Sequence, residues 1–123
     1  AKAVGASVFE KAGGTIAELR RFVERECLPV LVGWWSGPAR EREEVINDSK
    51  KDEGHFSVVY RVSKQNVYLM DPEMKNGRRR ITIPRFLAKW WDLDTPQYVK
   101  VSRWYMVVNF EGRKFDIPGG KNY

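Results

Sequence analysis

Several apolar runs of strand length, each bounded by residues that cannot extend it, restrict this chain to a fold built on a sheet. After Pro29 comes Val30-Leu31-Val32-Gly33-Trp34-Trp35, which has strand length and composition. His55-Phe56-Ser57-Val58-Val59-Tyr60-Arg61-Val62 is a second such run. Ser63-Lys64-Gln65-Asn66 then suits a turn, and Val67-Tyr68-Leu69-Met70 a returning strand. Asp71-Pro72 stops that strand, because proline has no amide hydrogen for the ladder. Ile81-Thr82-Ile83 is a short β-branched run, and residues 99–110 read as a further strand around Trp104-Tyr105-Met106-Val107-Val108. A hairpin through Glu111-Gly112 into residues 113–117 is expected after it, with residues 119–122 as a frayed end.

Helical spacing occupies two places between the strands. Ile16, Leu19, Phe22 and Val23 recur on one face of residues 15–26, and Thr15 with Glu18 fits a capping box at its start. Pro84 suits the first turn of a helix carrying Phe86, Leu87, Trp90 and Trp91. Residues 36–54 hold four basic and six acidic side chains and read as a long surface excursion, with one helical turn at 40–46. The sum is an α+β fold: an antiparallel sheet with helices packed on it, in a single domain spanning residues 1–123.

Composition narrows the function. The 22 Lys and Arg against 16 Asp and Glu leave a net charge of +6. Six of the basic residues (Lys75, Arg78, Arg79, Arg80, Arg85, Lys89) fall in a stretch without one acid, a patch suited to phosphate or an acidic partner, although such runs are commonly solvated turns. No apolar run approaches the roughly 20 residues that span a bilayer. The opening Ala1-Lys2-Ala3-Val4-Gly5 lacks the apolar core and cleavage site of a secretion signal. One cysteine, Cys27, cannot staple the fold, and one histidine, His55, excludes the usual multi-histidine metal centres, so no metal or cofactor is expected. An unpaired cysteine is compatible with a cytoplasmic setting.

Any catalysis therefore centres on His55. Asp71 lies 16 residues on, at the end of the strand that folds back beside the start of the histidine's own strand. A carboxylate there would hold the imidazole in one tautomer and stabilise its charged form. Side chains alternate faces along a strand, so a four-residue loop at 63–66 would put the two on opposite faces unless a bulge intervenes or Asp71 lies beyond the strand. An ordinary strand-end histidine and an ordinary Asp-Pro turn are the alternative.

The order Gly54-His55-Phe56-Ser57-Val58-Val59-Tyr60, Val67-Tyr68-Leu69-Met70-Asp71-Pro72, Ile81-Thr82-Ile83-Pro84-Arg85-Phe86-Leu87 and Trp90-Trp91-Asp92 resembles the bacteriocin-leader-processing cysteine peptidases and their kin, domains with a papain-like fold. The helix at 15–25 and the run 29–35 resemble the segments that precede the family's histidine. The resemblance implies His55 as general base, Asp71 as its orienting acid, and a substrate groove for a peptide near Trp34, Trp35 and Gly54. It also implies a nucleophilic cysteine on an N-terminal helix, for which residues 1–14 offer no candidate. Residues 1–6 resemble the tail of that helix, so the chain is expected to begin inside the domain. Cys27 is a poor substitute. It stands at the C-terminal end of a helix beside Glu24 and Glu26, where the dipole and both charges disfavour a thiolate, and it is expected to be a small buried residue. Ser57 shares a strand face with His55 and carries no sign of activation.

Three functions follow. The first is a peptidase-like domain that keeps a His/Asp pair without its nucleophile and is inactive as it stands, either a peptide-binding pseudoenzyme or a fragment of an active peptidase. The second is a basic module binding nucleic acid or phosphate through Arg78-Arg79-Arg80 with Trp90, Trp91, Tyr98 and Trp104. The third is an interaction domain, self-associating or docking a protein through Trp34-Trp35 and the surface an absent helix leaves apolar.

Overall fold

A computed structural model describes residues 5–38 and 40–123. Its main sheet has seven strands: β1 (Ser7–Lys11), β2 (Val30–Trp35), β3 (Gly54–Val62), β4 (Asn66–Met70), β5 (Arg78–Thr82), β8 (Tyr105–Asn109) and β9 (Gly120–Asn122). Their order across the sheet is β5-β4-β3-β2-β8-β1-β9, with every pair antiparallel. The remaining strands, β6 (Trp91–Asp94) and β7 (Val99–Ser102), form a separate ribbon. Helices α1 (Ile16–Arg20), α2 (Arg42–Asn47) and α3 (Ile83–Lys89) are short. None is long and apolar enough to cross a membrane. The α+β class with a mainly antiparallel sheet is as the strand-length runs require.

The unbroken apolar run of β2 has a simple cause. Its alternate side chains enter two different cores, so no position faces water freely. Val30, Val32 and Trp34 join Phe9, Leu19, Phe22, Val59, Leu69, Phe86, Tyr105 and Val107 in the main core. Trp35, one position on, points to the other face and packs with Val45 of α2 and Leu93 of β6. Both tryptophans are buried, which corrects the expectation that Trp34-Trp35 forms an exposed docking face.

The first helix follows its pattern and then departs from it. Thr15 Oγ1 accepts the Glu18 amide at 3.1 Å, giving half of the capping box. The other half is missing, because the Glu18 carboxylate meets Lys11 Nζ at 2.5 Å and accepts the Tyr105 hydroxyl at 2.9 Å. An ion pair with a buried phenol outcompetes a return to the cap amide. Burial, followed by that hydrogen bond to Glu18 and its charge, pushes the Tyr105 hydroxyl well above its usual 10.0. Beyond Arg20 the helix widens into a π turn (Arg21–Arg25) that turns Phe22 and Val23 onto the sheet. The Leu28 amide closes it by donating to the Phe22 carbonyl, which puts Cys27 in the left-handed conformation at φ 55°. Cys27 is consequently exposed, not buried as expected.

Other corrections have equally local causes. Arg78, Arg79 and Arg80, expected in a turn, belong to β5 because Met70 pairs with Arg78 and Leu69 with Arg79. Trp91 opens β6 instead of ending the helix, which stops at Lys89. Residues 99–110 are two strands in different sheets: Arg103 takes φ 55° and donates its amide to the Trp90 carbonyl. Here Gly14 passes so close that a β-carbon would lie 2.7 Å from the Tyr105 ring and 2.9 Å from Trp90. The hairpin through residues 111–117 does not form. Asn109 Oδ1 accepts the amides of Glu111 and Arg113, and Asn122 clamps both the amide and the carbonyl of Phe115. Residues 120–122 are no frayed end, since they pair with Phe9, Glu10 and Lys11 of β1. The helix tail expected at residues 1–6 falls mostly outside the described residues.

Candidate functional site

The hairpin β3–β4 carries the candidate site. Near the turn the pairing is Val62 with Val67 and Arg61 with Tyr68. Beyond it, the pairing is Val59 with Leu69 and Val58 with Met70. One extra residue, Tyr60, is left over between them, and this bulge reverses the parity of the strand. The bulge meets the condition that a four-residue loop imposes. His55, Ser57 and Val59 now share the core face with Val67, Leu69 and Asp71.

His55 Nε2 lies 2.6 Å from Asp71 Oδ1. Asp71 is 1% exposed. Its Oδ1 also accepts the Glu73 amide at 3.0 Å, an Asx turn that Asp-Pro-Glu favours. Its Oδ2 faces Arg79 Nε at 3.3 Å. Burial by itself pushes the Asp71 carboxyl up. The hydrogen bond from His55, the Glu73 amide and the charges of His55 and Arg79 outweigh it and hold the group below its ordinary 3.8. An ionised Asp71 requires the hydrogen on Nε2, which leaves Nδ1 as the basic nitrogen. Glu73 Oε1 lies 3.5 Å from that Nδ1.

Trp34 fixes the imidazole from the side. Its ring meets His55 edge-on, with centroids 5.5 Å apart, and its Nε1 donates to Ser57 Oγ at 3.0 Å. Ser57 is thereby a buried acceptor. Arg79 lies over the Trp34 ring at 5.1 Å. Trp35 and Gly54 belong to the opposite face. Trp35 stacks on Trp91 at 4.6 Å, and Gly54 is the gap into which Asp92 fits, where a β-carbon would lie 2.0 Å from Oδ1. Of the sequence candidates, the structure brings together His55, Asp71 and Trp34.

Two residues of this group were missed in the sequence, Glu73 and Arg79. The Asp-Pro-Glu turn signals the first. Arg79 depends on the β4–β5 register, set by a loop that carries no pairing signal. His55, Asp71 and Glu73 each offer one donor atom within 4.8 Å of the others. The 2.6 Å bond between His55 and Asp71 already engages one ring nitrogen, so the cluster is arranged as a hydrogen-bonded pair with a second carboxylate beside it. Cys27 is remote. It precedes β2, whereas His55 pairs with Trp34 near the far end of that strand, roughly 13 Å along it.

The opposite face holds an acidic cleft of about 380 Å³ lined by Glu10, Asp92, Asp94, Phe56 and Trp104. Burial, with the charges of Asp52 and Asp94 adding to it against the Leu93 amide, raises Asp92 to about 6. A raised acid favours folding below the unfolded value near 3.8 and loses that contribution as pH rises toward 6. Asp92→Asn keeps the Leu93 contact without the charge. It should raise stability at pH 7 by about 1–2 kcal/mol and leave it nearly unchanged at pH 4. Urea midpoints at both pH values test this, and an equal shift at the two would refute it.

Residues 41–93 match the model of the Peptidase C39 family. The matched stretch runs from α2 into β6 and contains His55, Asp71, Glu73 and Arg79. Over this part of the chain there is a relationship to the bacteriocin-processing cysteine peptidases. Neither a curated protein nor a solved structure matches the chain.

Proposed function

We propose that these residues form a papain-like domain related to the cysteine peptidases, and that the 123-residue chain binds peptide segments beside His55 without cleaving them. The observation that carries this is the 2.6 Å bond between His55 Nε2 and the buried Asp71. It leaves Nδ1 available to take a proton from a thiol, the role of base and orienting acid in such sites. Within the 123 residues the sole thiol is at the other end of β2, exposed and remote from the imidazole. The family match over residues 41–93 supports the peptidase relationship.

The nucleic-acid reading loses two of its four stacking rings. Trp90 is 1% exposed, and Trp91 has one ring face on Trp35 and Lys100 over the ring at 4.8 Å.

The test is a peptidase assay on the 123-residue chain, run beside NMR of the His55 ring during titration with short peptides. The expected result is perturbation of His55 without turnover, unchanged by Cys27→Gly. Thiol-dependent cleavage that disappears in both His55→Ala and Cys27→Gly would overturn the inactive reading. A His55 signal indifferent to every peptide would overturn the binding role.

A further inference from the structure

Beside the His55 pair, between β5 and α3, lies a cleft of about 380 Å³ whose lining includes Arg79, Arg80, Arg85 and Lys89 and no carboxylate. Met74 and Ile81 lie on its apolar wall, with the buried Trp34 behind them. Arg79 is balanced by Asp71, and Lys89 donates one hydrogen bond, to the Gly37 carbonyl at 3.0 Å. Arg80 and Arg85 have no carboxylate within 4.0 Å among the described residues. Three of the four basic residues on this lining are thus without a carboxylate partner among the described residues, and an anion entering the cleft would relieve their mutual repulsion. A guanidinium offers its paired hydrogens in the planar geometry a carboxylate accepts.

The geometry points to this cleft as a subsite for a carboxylate carried by a peptide, an acidic side chain on the segment that lies against His55. This rests on the peptide-binding reading above and adds the chemical class of the peptide. Two side chains join the subsite to the pair. Trp34 lines the cleft and touches the imidazole edge-on, and Arg79 lines the cleft and meets Asp71. An acidic residue seated among Arg80, Arg85 and Lys89 therefore lies one side chain away from His55. A nucleic acid fits less well, because the cleft's tryptophan is wholly buried and presents no open face for a base.

The experiment titrates the 123-residue chain with a short acetylated, amidated peptide containing two glutamates, with its glutamine twin, with inorganic phosphate alone and with a single-stranded oligonucleotide. NMR follows His55 and the arginine side chains. The glutamate peptide should bind at least 10-fold tighter than its twin at low salt, with the preference shrinking as salt rises. Arg80→Gln combined with Arg85→Gln should remove that preference while thermal stability holds, since both side chains are exposed. Equal binding of the twins with His55 perturbed by both would overturn the acidic subsite and leave the peptide reading intact. Glutamate preference at the arginines with His55 silent would leave the subsite and overturn the peptide reading. Phosphate or the oligonucleotide binding more tightly than the glutamate peptide would overturn the peptide carboxylate as occupant.

Discussion

Asp71→Ala is expected to destabilise the fold by about 3 kcal/mol at neutral pH, far more than a surface carboxylate would. The side chain is 1% exposed and accepts the Glu73 amide while facing His55 and Arg79. Its removal leaves those donors unpaired in a region water reaches poorly. The pH dependence identifies the cause. A carboxyl held below 3.8 in the folded state contributes stability that is complete above that value and is lost as pH falls through the lower folded value. The gap between the native chain and Asp71→Ala should therefore be widest above pH 4 and narrow on further acidification. Asp71→Asn, which can still accept the Glu73 amide, should lose less. Urea unfolding of all three proteins across pH 2–7 checks this, and a pH-independent gap would mean that the charge is not what matters.

Phe22→Ala should cost still more, about 3–5 kcal/mol. The ring is fully buried and stands edge-on to Phe115 at 4.9 Å, with Tyr105 at 5.7 Å and Phe9 at 5.9 Å. Four rings from the π turn, β1, β8 and the C-terminal segment thus meet at one point, and deleting the central one opens a cavity that none can fill alone. Denaturant titration with an unchanged slope tests it. A loss under about 1.5 kcal/mol would show that the π turn does not pin the helix to the sheet.

Legibility followed the range of the forces involved. β2, β3, β4 and the cap at Thr15 were readable because periodicity, proline stops and a local hydroxyl act within a few residues. The pairing of His55 with Asp71 could be framed as a condition but not decided. A bulge at Tyr60 settles it, and bulges answer to packing across the sheet, with no local residue signal here. The C-terminal third was misread for the same reason. Arg103 breaks the single strand expected over residues 99–110 because Trp90 and Gly14 take its amide and its carbonyl, both distant in the chain. Glu18 left its cap for a tyrosine 87 residues away. Cys27 came out exposed because the helix widened before its end.

The position of β1 between β8 and β9 has a consequence for biogenesis. During synthesis the ribosome releases Ser7–Lys11 long before either partner exists, and that segment must wait through almost a hundred residues before it can be sandwiched. The hairpin bearing His55 and Asp71 needs only its immediate neighbours and can close early. A nascent chain would thus acquire its imidazole–carboxylate pair while one flank of the sheet is still open, a stage at which a chaperone or a second polypeptide has access to the vacant edge.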